Sequence, residues 1–267
     1  MRIRIALALV CSVMTLSLLP ATAAARDPSP TDQPVSTPTS LTYDAATVVQ
    51  DPAVVAAKAA DFAAFTSRQQ SQLATPLVPS AVTLIMNKYH QKTTSYCLAA
   101  SNQTILDTKF GGYATPSVKA GQDAIYACTG TNVESGRQCM NAELQKHTRT
   151  PSDWLYTNIN VTSSSSLWNY ILYDVGTYSW PTFVRVNWDS PYWPDHNTGT
   201  TVVGHASDAI GYDSSSSAVK VYDPWTYVQT DGTCYVGPGY SSSADRACHF
   251  TLSLQNYWNA TLGPEWY

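Results

Sequence analysis

Cys97-Leu98-Ala99-Ala100-Ser101-Asn102-Gln103-Thr104-Ile105-Leu106, closed a few residues on by Gly111-Gly112, is the stretch that decides the fold. It is built of good helix formers, with apolar positions 99, 106 and 110 on one side and 98 and 105 on another. The paired glycines are the expected stop. Cys97 therefore falls in the first turn of a buried helix. Downstream the pattern changes. Pro181-Thr182-Phe183-Val184-Arg185-Val186 alternates as a strand. Thr201 to Tyr212 reads as a second strand, Ala218 to Tyr222 as a third and Phe250 to Leu254 as a fourth. Val82 to Met86 is a short strand ahead of the helix, and Leu167 to Val175 a second helix stopped by Gly176. A helical part followed by antiparallel strands predicts an α+β domain.

The chain has 267 residues, enough for a core that needs no staples. Its formal net charge is −4 and 13% of residues are charged, against roughly 25% in an average soluble domain. A weakly acidic chain without clustered Lys and Arg argues against nucleic acid as a partner. Arg2 and Arg4, the apolar run Ala6 to Leu19, Pro20 and the small residues Ala21 to Ala25 form an export signal over residues 1–25. The run falls short of the roughly 20 residues that span a bilayer, so no membrane span is expected after its removal. Residues 26–80 divide into a Pro/Ser/Thr-rich linker and an Ala-rich helical segment interrupted by Pro52. This stretch has the character of a pro-segment that blocks a groove, a stalk, or a helix packed on the main domain, which occupies residues 81–267.

Signal removal takes Cys11 with it. Five of the six cysteines remain, in a secreted protein whose spare thiols pair. Cys128 and Cys139 flank turn residues, and Cys234 and Cys248 bracket a Gly/Pro/Ser loop. Local bridges Cys128–Cys139 and Cys234–Cys248 are the simplest pairing, although sequence alone leaves others open. This pairing leaves Cys97 as the unpaired thiol.

A thiol at its free pKa of about 8.5 is a weak nucleophile, which a helix N-terminus or a neighbouring His activates. His205, in the small-residue strand Gly204-His205-Ala206-Ser207-Asp208-Ala209-Ile210-Gly211-Tyr212, is the candidate base. A hairpin through Ser214–Ser217 would bring Asp223, in Tyr222-Asp223-Pro224-Trp225, beside it as the residue that orients the imidazole. Asp213 is a rival orienter, better placed to serve the Ser-rich turn. Gln91, six residues before Cys97, can aim its amide at the oxyanion together with the Cys97 backbone N–H. The loop Asn187 to His196 brings Trp188, Tyr192 and Trp193 just before the His strand. They are either walls of a substrate groove or a packed surface loop. The remaining histidines, including His90, His147 and His249, are expected on the surface or in loops. No H-E-x-x-H, C-x-x-C, G-x-S-x-G, P-loop or dinucleotide motif occurs, so neither a metal site nor a cofactor is expected.

Gln91-x5-Cys97 at a helix start, then Gly204-His205, then Tyr222-Asp223-Pro224-Trp225, resembles the papain-like cysteine peptidases. The pattern is most similar to their bacteriocin-processing, double-glycine leader peptidase-like branch, over about residues 82–255. The resemblance implies a papain-like fold, with a helical part carrying the Cys and an antiparallel sheet carrying His and Asp. It implies Gln91 as oxyanion residue, Cys97 as nucleophile, His205 as base and Asp223 as its orienter. Leu98 stands where such families usually place Gly. The expectation is a secreted monomeric thiol peptidase cleaving peptide or amide bonds of a peptide or protein substrate, cell-wall peptide included. A cell-wall peptide hydrolase or transpeptidase would use the same machinery. The rival is a secreted binding or adhesion module that keeps the fold without the chemistry.

Overall fold

The computed structural model describes residues 51–71, 78–114, 117–147, 155–194, 204–225 and 249–266, the last three of these by backbone alone. Contacts divide the chain into residues 1–33 and 34–267, and every described residue belongs to the second unit. The architecture is mixed helix and antiparallel sheet, α+β as expected. Helices α1 (Pro52–Ser71), α2 (Cys97–Phe110), α3 (Val118–Thr129), α4 (Val133–His147), α5 (Ser164–Ile171) and α6 (Leu254–Ala260) surround one sheet. Its strands are β1 (Ala81–Thr83), β2 (Asn158–Ile159), β3 (Thr182–Val186), β4 (His205–Asp213), β5 (Ala218–Tyr222), β6 (His249–Ser253) and β7 (Thr261–Trp266). The order is β2-β7-β3-β4-β5-β6, with β1 joining the far end of β4. Every pairing is antiparallel.

Alternation along the strands builds two cores, one per sheet face. Phe183, Ala206, Ile210 and Tyr222 pack with Leu98, Ile105 and Leu106 of α2 and Met140 and Leu144 of α4. Val184, Val186, Ala209, Tyr212, Val219, Val221 and Phe250 face the other way, toward α5, α6 and α1. The helix opened by Cys97 is the hub of the first core. All residues from Leu98 to Asp107 are buried, and its polar donors are bonded, while Asn102 Oδ1 and Gln103 Oε1 have no partner. Asn102 donates to the Gly136 carbonyl, Gln103 to those of Tyr113 and Val118, and Thr104 to the Tyr222 hydroxyl. The helix ends at Gly111, whose N–H makes the last helical bond to the Asp107 carbonyl and whose φ of 71° turns the chain out of the helix.

Several local expectations change. Pro52 does not interrupt a helix. It opens α1, where proline's missing N–H costs nothing, behind Asp51, whose carboxylate accepts from the Ala53 N–H at 2.8 Å. The second helix does not stop at Gly176. It passes at Leu172 into a π-helical turn running to Tyr178, ended by Ser179 at φ 58°. A Cβ at Gly176 would lie 2.5 Å from the Tyr212 hydroxyl, so close packing explains this glycine. Gly136, read as a turn residue, lies inside α4.

Helix α1 lies in the segment read as a pro-segment, a stalk or a helix packed on the main domain. It packs in the core on the face away from α2. Phe65 is buried there, Phe62 stacks on Tyr170 at 3.9 Å, and Lys58 donates to the Leu155 carbonyl at 2.8 Å. Residues 26–50 lie outside the described residues. Cys128, in the last turn of α3, is bridged to Cys139 of α4, with Cα atoms 6.1 Å apart. The second expected bridge, Cys234–Cys248, lies outside the described residues.

Candidate active site

Cys97 is half-buried and is the free cysteine among the described residues. It is the first residue of α2. The preceding Tyr96 offers no side-chain cap, and no acidic residue lies in the first turn. The helix therefore presents its N-terminal N–H groups and the positive end of its dipole to the sulfur without local competition. Leu98 faces the core. It is buried against α4, where a Cβ on Gly136 would come within 2.5 Å of its side chain. The glycine on α4 makes the room that leucine beside the nucleophile requires.

His205 opens β4 directly after Gly204, whose φ of 106° suits glycine and whose absent Cβ leaves space for the Arg185 guanidinium. The β4–β5 hairpin pairs Asp208 with Tyr222 and carries Asp223 just past the end of β5. From there Asp223 Oδ1 accepts from His205 Nε2 at 2.6 Å. The imidazole is buried, and it lies close enough to Cys97 for each group to act on the charge of the other. Burial alone would raise the thiol pKa. The hydrogen bond and charge of His205, with the Ala206 and Leu98 backbone N–H groups, outweigh it and lower the pKa. For His205, burial would favour the neutral ring. The charge and hydrogen bond of Asp223, followed by those of Cys97, reverse this and lift its pKa to about 10. Two coupled partners each favour the other's charged form, which is the electrostatic definition of a thiolate–imidazolium pair.

Asp223 is fully buried and held from three sides. Besides His205, Oδ1 accepts from the Trp225 backbone N–H at 2.7 Å, and Oδ2 accepts from the Trp193 indole N–H at 3.0 Å. The aromatic loop is thus placed differently from a groove wall. Trp188 is 2% and Trp193 1% exposed, while Tyr192 is 44% exposed. The Trp188 ring stacks on His205, with centroids 4.8 Å apart. Turn bonds drive these indoles inward: Ser190 N–H donates to the Asn187 carbonyl, and Trp193 N–H to that of Ser190. Asp213 is bonded to Ser215 in the β4–β5 turn and takes no part in the site.

Gln91 sits in the loop before α2 and is buried. Its N–H donates to the Pro224 carbonyl at 2.8 Å, one residue from Asp223. Its side-chain N–H donates to the Thr93 carbonyl at 2.6 Å, and its Oε1 has no partner. Sequence reasoning assigned Trp193 and Trp188 no contact with His205 or Asp223, and local sequence carries no signal for it. It also passed over Asp208 and Ser101. Their signal was legible: an acidic residue in a strand whose same-face neighbours, Ala206 and Ile210, are apolar. His249 was expected in a loop or on the surface and is instead buried in β6.

No group of three or more His, Cys, Asp and Glu side chains suited to a metal occurs among the described residues. No helix among them is long and apolar enough to cross a membrane. No protein-family model matches this chain, and no curated protein matches it either.

Proposed function

We propose that the protein is a papain-like cysteine peptidase, a thiol hydrolase that cleaves peptide or amide bonds through Cys97, His205 and Asp223. The observation that carries the reading is the buried relay in which Asp223 holds His205 Nε2 while His205 and Cys97, at a helix N-terminus, favour each other's charged form. The thiolate attacks the scissile carbonyl. The negative oxygen that results is met by the Cys97 backbone N–H and by the Gln91 amide, once that amide leaves the Thr93 carbonyl. The imidazolium then gives its proton to the leaving amine as the C–N bond breaks, leaving a thioester. Water, losing a proton to His205, hydrolyses the thioester and restores the thiolate. An acceptor amine in place of that water would give transpeptidation.

The buried Trp188 and Trp193 support the ring and its orienter, and Tyr192 is the exposed aromatic beside them. The N-terminal signal pattern supports export, and the proposal takes the enzyme to act as a monomer without cofactor on a peptide or protein, cell-wall peptide included. The test is alkylation of the purified protein with iodoacetamide at pH 6, followed by mass spectrometry, beside turnover of peptide and muropeptide libraries. Rapid single labelling at Cys97, abolished in Cys97→Ala and slowed in His205→Ala, is expected. A Cys97 that reacts no faster than a free thiol would refute the proposal and leave the binding-module reading.

A further inference from the structure

Asp208 is a buried carboxylate close to the site for which the relay has no use. It lies three residues after His205 on β4, on the face toward α2, and is fully buried. The Ser101 hydroxyl approaches both of its oxygens, at 2.9 and 2.8 Å. That hydroxyl has a single proton, and no second donor reaches the carboxylate among the described residues. Burying a charge with so little compensation is costly, and an asparagine or an apolar residue would fill the space more cheaply. The position of the pair gives the cost a purpose. Ser101 is one helical turn beyond Cys97, on the same face of α2. One bond thus ties the helix that carries the nucleophile to the strand that carries the base.

We propose that Asp208, held by Ser101, is a second positioning carboxylate of the site, which fixes α2 against β4 and supplies negative charge that keeps His205 protonated beside the thiolate. The inference rests on Cys97 and His205 being the reactive pair. The groups facing Asp208 fit it. From α2 comes Ser101, and on its own strand the charge of His205 acts on it. From β5 comes Tyr222, whose hydroxyl donates to the Tyr89 carbonyl and accepts from Thr104. From the segment before β2 comes Tyr156, whose hydroxyl donates to the Pro181 carbonyl. Burial holds both tyrosines neutral, well above their ordinary pKa. His205 is thus the group among these that carries positive charge. Burial lifts the Asp208 carboxyl to about 7, against the pull of Ser101 and His205. The second charge therefore switches on around neutrality.

The experiment follows the His205 imidazole of the full chain, with 15N-labelled histidine, from pH 5 to 11. His205→Gln gives the assignment, and Cys97 alkylation by iodoacetate is measured in parallel. The wild type is expected to give a small step near pH 7 besides loss of the imidazolium proton at high pH. Asp208→Asn should erase the step and lower the midpoint of that loss by about half a unit to one unit. The fast iodoacetate reaction, which needs the imidazolium, should fade at correspondingly lower pH. Ser101→Ala, which keeps the carboxylate but removes its donor, should move the step to higher pH. Superimposable curves for Asp208→Asn and wild type would overturn the inference while leaving the peptidase reading intact. Should Asp208→Asn not fold, a wild type without the step, or a step unmoved in Ser101→Ala, overturns it alone. A wild-type Cys97 inert to iodoacetate at every pH would overturn both.

Discussion

Under the proposed function, replacing Trp193 by phenylalanine separates a support for His205 from a wall of a substrate groove. The indole N–H is the donor to Asp223 Oδ2, while Oδ1 is already shared between His205 and the Trp225 N–H. Phenylalanine keeps an aromatic ring against Phe250 and Tyr257, which lie 5.1 and 6.2 Å from the indole between ring centroids. It removes the hydrogen bond, strands Oδ2 in the interior, and leaves a small void where the second ring stood. Loss of a hydrogen bond to a charged acceptor is worth about 1.5–3 kcal/mol, so with the void a fall of about 3 kcal/mol in unfolding free energy is expected. That is a large share of an ordinary domain's stability of about 5–15 kcal/mol, yet compatible with a folded enzyme. A carboxylate free to rotate no longer holds the imidazole in line with the sulfur, and misplacement near 1 Å costs about 100-fold. The expected kinetic signature is therefore a fall in kcat of about 10- to 100-fold with KM nearly unchanged. Urea unfolding followed by intrinsic fluorescence and turnover of a fluorogenic peptide measure the two effects. Wild-type stability together with a raised KM and an unchanged kcat would refute the reasoning and return Trp193 to the substrate.

Three further outcomes follow from the packing. Gly136→Ala drives a methyl into Leu98 and should cost about 1–3 kcal/mol and slow Cys97 alkylation. Leu98→Ala added to it should restore part of both, a coupling that a double-mutant cycle on thermal unfolding would register. Replacing Cys128 and Cys139 together by serine should lower stability by about 3 kcal/mol, as expected for a loop of 11 residues, with Cys97 reactivity unchanged. Asp208 titrates at 3.8 when unfolded and near 7 when buried, so between those values the folded state holds the extra proton. Its contribution is favourable at low pH and lost as pH rises through 7, on the order of 4 kcal/mol in all. Urea midpoints of Asp208→Asn should therefore fall less between pH 4 and 7 than those of the wild type, and parallel slopes would contradict this.

The elements legible in the sequence were those whose signal is local. Cys97 to the Gly111 stop, the alternation of Thr182 to Val186 and the Ser-rich turn into Ala218 to Tyr222 lie where periodicity and turn residues placed them. Helices α3 and α4 were passed over because Thr129, Gly130, Thr131, Asn132 and Gly136, between Cys128 and Cys139, read together as turn residues. Only Gly130 and its neighbours form the turn, and Gly136 answers to Leu98 across the helix interface. Strand β2, of two residues, is too short for a pattern, and Gly263-Pro264 interrupts one in β7; the pairing of both is set by the sheet. In the site, the order Gln91, Cys97, His205, Asp223 was readable because each is a residue type with a chemical reason to be there. The structure joins Cys97, His205 and Asp223, and brings the Gln91 loop to the Asp223 turn. The inward turn of Trp188 and Trp193 was not readable, since an aromatic loop looks alike whether it faces water or a buried carboxylate.

The corner from Tyr222 to Trp225 has one more consequence. Its Tyr222 hydroxyl, Pro224 carbonyl and Trp225 carbonyl hold Tyr89, Gln91 and His90 in turn, while its Asp223 holds His205. The loop that leads into the nucleophile and the carboxylate that aims the base are therefore surveyed from one datum. A shift of this corner would carry both in the same direction, so the spacing between them would vary less than the position of either. A site drawn from distant parts of the chain can in this way keep its alignment without a rigid scaffold, provided that one short corner keeps its shape.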